Sequence, residues 1–462
     1  MINQYSNRAL LHQPVSAYSK MNGGAVPRKS ISKWELVLIG TWIASFTVGI
    51  DILFELKLYD IIGLITIWHF RSAVFSGFSE KSLIGFAFRW LTIMFLVGFL
   101  IAIVRVGEPF FIAIAVLRLL RLLSYFSIFL IIRALPLNLQ NLRMLIWIIT
   151  SACLAQAVII LFQEQGFIPI FWSEKEIAVY GRLYSTGTLG LNHLNQVLFM
   201  TVGICSLLSI VSTGQVRKLW RIAIVAFSCP IMIFAILVGE ARSGLVAIAV
   251  LGVVLAVQFQ RLMILLLIVP LSLGIDASLG LDIRSRISNM WEQKVERRVI
   301  PGLTGADAIE ALDEPRPRIW GRSLARLGED PTLWLVGTGF QNYSGIEARG
   351  AAAGHNLYLH VLVELGITGL VFFLLFLRVL FIQVKRMHSD SKETTRIKIF
   401  CLASLITLLV LGMFNETLYP QRAIMGFMGF ALAYIAVVGN RGWSFISQKN
   451  IASWYPQTAI NH

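Results

Sequence analysis

Along most of the chain the apolar positions fall in unbroken runs parted by short polar breaks, rather than in stripes. Runs near 20 residues match the helix length that spans about 30 Å of hydrocarbon. In order they predict helices at 35–54, 58–70, 90–104, 109–132, 144–163, 191–213, 222–239, 243–256, 262–275, 356–384, 399–415 and 422–439. The fold class is therefore an all-α polytopic membrane protein, with about 12 transmembrane helices and one large external loop containing short helices. The expected organisation is a tail at 1–34, transmembrane helices 1–9 over 35–275, the large loop at 276–354, helices 10–12 over 355–439, and a second tail at 440–462.

The long loop has a pattern of its own. Ile283, Ile287, Met290, Trp291 and Val295 form a helical stripe, so 281–298 reads as an amphipathic helix. A second helix is expected near Arg318 to Leu327, stopped by Gly328. Its apolar face is Trp320, Leu324 and Leu327; its other face is Arg318, Arg322 and Arg326, four apart. The stretch LWLVGTGFQNY reads as a short extended segment broken by Gly337 and Gly339. At 79 residues, with 10 basic and 11 acidic side chains, this loop is of a length uncommon without a function.

Composition agrees with the runs. The chain is 56% hydrophobic and 14% charged, with mean hydropathy +0.73, whereas soluble domains are nearer a quarter charged. The net charge of +15 would suit nucleic acid, but its distribution argues for topology. The inner tails and loops hold 21 Lys/Arg and the short outer loops six, counting Arg422 at the edge of the last span. That asymmetry places both tails in the cytoplasm and the long loop outside, with no nucleic-acid partner. Residues 1–34 are polar, so no cleavable signal peptide is expected. Cys153, Cys205, Cys229 and Cys401 all fall within apolar runs and read as small core residues.

The candidate chemistry gathers on the outer side. The stretch Gly354 to Leu370 takes the chain from the polar loop back into an apolar helix, with His355 and Asn356 at the boundary; such a pair also reads as a helix cap. Arg182 stands in a Gly- and hydroxyl-rich approach to a helix whose first turn holds Asn192, His193 and Asn195. Exposed N–H groups at a helix start, with an arginine fork beside them, suit an anion; turn chemistry and an Asn192 cap are the simpler reading. Glu240 and Arg242 occupy a tight outer turn between two helices, as an anion site or a solvated ion pair. Arg118 and Arg121 share a face of the fourth helix, either near a lipid phosphate or paired with a neighbouring helix. Asp51 and Glu55, four apart, are a weak metal pair beside the reading as surface acids, and His360 with Glu364 reads as a packing pair. No metal site and no cofactor is expected.

Taken together, these residues resemble the O-antigen ligase and O-antigen polymerase superfamily over roughly residues 145–440. The resemblance is carried by Arg182 before Leu191-Asn192-His193, the turn Ala241-Arg242-Ser243-Gly244, Arg318 shortly before Trp320, the G-x-G at Gly337 and Gly339, and H-N-x-Y-L-x-x-x-x-E-x-G-x-x-G-L from His355. Where the family has Asn-Pro-Asn, this chain has Leu191-Asn192-His193. The resemblance implies a metal-independent inner-membrane glycosyltransferase acting on undecaprenyl-diphosphate-linked glycan at the periplasmic face. It implies His355 as general base, Arg182 and Arg242 as ligands of the donor diphosphate and Arg318 as the loop arginine before the aromatic residue, with Asn192, His193 and Asn356 also binding substrate. The acceptor would be a glycan or lipid A-core, the surroundings membrane lipid, and the associates polysaccharide export or chain-length machinery. A transporter or flippase for lipid-linked oligosaccharide is the competing function, and a scaffold of an export complex a third.

Overall fold

The computed structural model describes residues 31–46, 48, 51–53, 56–79, 83–135, 139–171, 185, 187–189, 193–212, 218–239, 242–259, 316–340, 356–386, 402–403, 405–407 and 409–413. The regular elements among the described residues are helices, apart from one pair of short strands. In chain order the elements are α1 (Lys33–Ser45), β1 (Asp51–Leu53), β2 (Leu56–Lys57), α2 (Leu58–His69), α3 (Arg71–Phe78), α4 (Leu83–Val106), α5 (Pro109–Ala134), α6 (Leu139–Glu164), α7 (His193–Ser212), α8 (Lys218–Val238), α9 (Arg242–Phe259), α10 (Arg316–Glu329), α11 (Pro331–Val336) and α12 (Leu357–Arg386). The helices expected at 262–275 and 422–439, the amphipathic helix at 281–298 and Cys401 lie outside the described residues.

Four of these helices are long and apolar enough to cross a membrane, or five if the bent pair α2–α3 is one span. They fall in α4, α5, α6 and α12, where the hydrophobic runs predict crossings. The first expected span is corrected: the helix begins at a Ser32–Glu35 capping box but ends at Ser45 rather than at 54. Asp51–Leu53 and Leu56–Lys57 instead pair as antiparallel strands. Ile52 and Leu53 continue the apolar run but lie in a strand, which β-branched Ile52 suits as well. The second expected helix is present within one residue of its bounds, but it bends into the next. Helix α2 is 12 residues long and meets α3 at 78°.

Antiparallel packing sets the direction of the bundle. Phe88 lies on Phe129 and Phe376, Trp90 stacks on Phe372 at 5.3 Å, and Gly98 faces Leu365. Thus α4 runs against both α5 and α12. A cluster centred on these helices and on α1, α6, α7 and α8 forms the main core. Cys153, Cys205 and Cys229 are buried there unbridged. Glycines let the helices close up: Gly63 admits the Trp42 ring of α1, and Gly203 admits Cys153 and Met232. A smaller core joins Leu327, Leu333 and Val363 to Trp320, Leu359 and Leu362, fastening α10 and α11 to the first turns of α12.

One charge pair sits inside the bundle. Arg121 Nε donates to Asp60 Oδ1 at 3.0 Å and Arg121 Nη2 to Asp60 Oδ2 at 2.8 Å, with both side chains buried. The guanidinium also lies 5.8 Å from the Tyr59 ring centroid. For Arg121 the pairing with a neighbouring helix holds, and the two-pronged geometry is the one that offsets burial of both charges.

Candidate functional site

The described candidate positions share one end of the bundle, because the long helices alternate in direction across short connections. His193 is the first residue of α7, Arg242 the first of α9, Arg318 the third of α10, and Asn356 precedes α12. Arg182, Asn192, Glu240 and His355 lie outside the described residues, as does Glu55.

Two of these helix starts are neighbours. Gln196, fully buried one turn into α7, donates from Nε2 to the Ala235 carbonyl of α8. Its amide also abuts Gly239, and Gly244 lies against Val197 and Ile236. The N-termini of α7 and α9 therefore stand side by side, bringing the start of His193 and that of Arg242 together. N–H groups that have no partner within their own helix and the positive ends of two helix dipoles meet there, an arrangement suited to a multiply charged anion.

The approach to α7 is pinned onto α6 by amides. Gln163 Oε1 accepts from Gly187 N at 2.7 Å, while its Nε2 donates to Pro169 O at 3.0 Å. Gln156 Oε1 accepts from Thr188 N at 3.1 Å, and its Nε2 donates to Thr188 Oγ1 at 2.7 Å. Ser185 donates to Glu164 Oε2 at 2.9 Å. Gly187 has φ +64°, and a Cβ there would stand 2.7 Å from Gln156 Oε1, so the turn requires glycine. The signal in the sequence was available: Gln156 and Gln163 are seven apart, on one face of an apolar helix, where amides need partners.

The second group forms around the start of α12. Asn356 Oδ1 accepts from Leu359 N at 3.1 Å, so this side chain acts as the helix cap. Trp320 and Leu327 carry α10 onto Leu359, Leu362 and Val363, which sets Arg318 of α10 beside the helix that Asn356 opens. Within α12, His360 Nε2 lies 2.9 Å from Glu364 Oε1, both buried, as a packing pair would. Asp330 caps α11 and lies 3.9 Å from Arg105. Its hydrogen bonds from the Thr332 hydroxyl and N–H, with Arg105 nearby, hold its carboxyl below the usual range. The extensive packing of α12 is with α4 and α11, and that of α7 with α6 and α8, so the two groups share one end but no broad common face among the described residues.

None of the curated proteins compared with the chain matches it. A family model described as O-antigen ligase matches residues 227–374. That stretch runs from within α8 through most of α12; it contains Arg242, Arg318, His355 and Asn356, while Arg182, Asn192 and His193 precede it. The family acts on a lipid-linked glycan and an acceptor, which accords with polar candidate residues at the end of an apolar bundle. Residues 227–374 are thus similar to an O-antigen ligase domain, which supports the resemblance to the O-antigen ligase and polymerase superfamily.

Proposed function

We propose that the protein is an inner-membrane glycosyltransferase of surface polysaccharide synthesis, taking glycan from an undecaprenyl-diphosphate donor at the periplasmic face. Both tails are then cytoplasmic and the 276–354 loop is periplasmic. The observation that carries the reading is the meeting of the α7 and α9 N-termini, with Arg242 opening α9. As the anomeric bond breaks, negative charge grows on the departing diphosphate. Donors fixed in advance at that point favour the transition state over the ground state. Arg182, Arg242 and Arg318 supply guanidinium forks, with Asn192, His193 and Asn356 beside them; His355 takes the proton of the acceptor hydroxyl, a task suited to an imidazole. No metal enters this chemistry. Polymerisation is favoured over ligation to a lipid A-core, because the long loop offers helices along which a growing chain can lie.

The break within α12 favours a second reading, since transporters use interrupted helices. Here the gap is filled by protein backbone rather than opening onto a cavity, which supports the enzyme. The deciding experiment adds purified lipid-linked glycan to the protein in detergent and measures released lipid diphosphate. Release that depends on acceptor is expected; vesicle translocation of the intact donor without release would establish transport instead. Within the enzyme, His355→Ala lowers turnover roughly 10²–10⁴-fold with donor binding retained. Wild-type turnover retained in His355→Gln, which can hydrogen-bond but not accept the proton, would move the base elsewhere.

A further inference from the structure

The outer loop does not stay outside the bundle. Between Asp330, which meets Arg105 at the top of α4, and Phe340, the chain descends along α4 and α12. Phe340 N donates to Gly98 O at 2.8 Å, eight residues or about 12 Å below the end of α4. Thr338 N donates to Val363 O at 2.8 Å, and Gly339 N to Glu364 O at 3.1 Å. In an unbroken helix those carbonyls would accept from residues 367 and 368. They are open because Gly366, at φ +70°, interrupts α12. Thr338 Oγ1 adds a second bond to Val363 O at 3.1 Å, and Thr368 Oγ1 of the lower half returns one to Leu335 O, capping α11.

The fit leaves no room for side chains. A Cβ on Gly337 would enter the Glu364 carbonyl, one on Gly366 the Leu335 carbonyl, and one on Gly339 would stand 2.6 Å from Ala102 N. Gly337 and Gly339 have φ of +78° and +104°. Three glycines from two distant segments thus permit one close backbone contact. Thr338 is fully buried and Phe340 packs edge-on against Phe95. Non-helical backbone at this depth is tolerated only when protein satisfies it, and here it is satisfied on both sides.

We propose that Gly337–Phe340 is a fixed re-entrant anchor, with Thr338 a positioning residue that locks α10 and the half-helix 357–365 into one body. By splitting α12 at Gly366, the chain uncouples residues 357–365 from the span below. Their direction is then set by the anchor and by the Trp320–Leu327–Leu333 contacts. The consequence is that Arg318 of α10 and the residues at the start of α12 keep their spacing through the reaction, whatever the rest of the loop does. The inference rests on the proposed glycosyl transfer only for its activity readout.

The test pairs Gly98→Cys with Phe340→Cys. A Cβ at Gly98 stands 3.7 Å from that of Phe340, inside the roughly 3.5–4.5 Å range for a disulfide. Mild oxidant in native membranes should join the two, read by peptide mass, and the joined protein should keep turnover within about twofold of its reduced form. No cross-link in folded protein overturns the anchor. A cross-link that stops turnover, with recovery on reduction, also overturns it, because the segment must then move. Should that pair fail to fold, Thr338→Val and Thr338→Ser decide. Loss of the hydroxyl should lower kcat about five- to tenfold per folded molecule, with donor KM unchanged and Ser restoring it; a fall in folded yield alone, with kcat unchanged, overturns the positioning role. If no lipid diphosphate is ever released, the proposed function fails while the cross-link still judges the anchor.

Discussion

The turn at 185–189 and the turn at 337–340 lie against the same end of the bundle, and each is pinned by hydrogen bonds to a long apolar helix. The first is held by side chains. Gln156, Gln163 and Glu164 reach out from an unbroken α6 to meet it. The second is held by backbone, against a helix that has been opened to receive it. The difference teaches where tolerance lies. A side-chain frame is built from several replaceable contacts, each of which can be lost alone. A backbone contact of glycines has no slack, because the first added carbon meets a carbonyl or an amide.

That contrast is broken most sharply at Gly339. Gly339→Ala combines left-handed strain of about 1–2 kcal/mol with crowding of about 1–3 kcal/mol against Ala102. We expect a large drop in detergent melting temperature, and loss of transfer with it. A melting temperature equal to wild type would show that the anchor does not need its glycines. Gln163→Leu is the counterpart in the first turn. It strands the buried Gly187 N–H, a cost of about 1–3 kcal/mol, yet Gln156 and Glu164 keep their own contacts. The protein should fold, with donor KM raised and kcat less affected; a loss of stability as large as that of Gly339→Ala would erase the contrast. The smallest effect is expected at Asp330. Its carboxyl pKa is depressed, so the stability it contributes is present above the ordinary carboxylate pKa and lost as pH falls through the folded value. Asp330→Asn still caps α11 at neutral pH. Its melting temperature should match wild type there, and only wild type should lose this contribution in strong acid.

The spans were legible where hydrophobicity alone decides. The runs at 109–132 and 144–163 appear as Pro109–Ala134 and Leu139–Glu164. The second loop helix was also readable from its apolar spacing, and Trp320 and Leu327 form its packed face as expected, whereas Leu324 is exposed. What escaped were features decided by distant partners. Gly366 and Gly369 lie inside an apolar run that marks no break, and only the arrival of Gly337 and Thr338 makes Gly366 one. The LWLV stretch read as extended, whereas Asp330 and Pro331 start a short helix there. Helix α1 stops at Ser45 within an apolar stretch, and Asp51–Leu53 is already a strand. At the site, the sequence marked which residue types could hold a diphosphate. The side-by-side placing of the α7 and α9 starts depends on Gln196 reaching Ala235, a contact between elements 39 positions apart.

The buried pair of Asp60 and Arg121 bears on how the chain is made. Helix α2 is short and opens with a carboxylate, and 61 residues separate that carboxylate from its guanidinium. A lone charge at the centre of a crossing helix costs about 2.5–3.5 kcal/mol on insertion scales. When α2 leaves the ribosome, α5 has not been synthesised, and nothing else among the described residues bonds Asp60 but the Lys57 amide. The buried seating of Asp60 therefore depends on α5, which brings Arg121 to it.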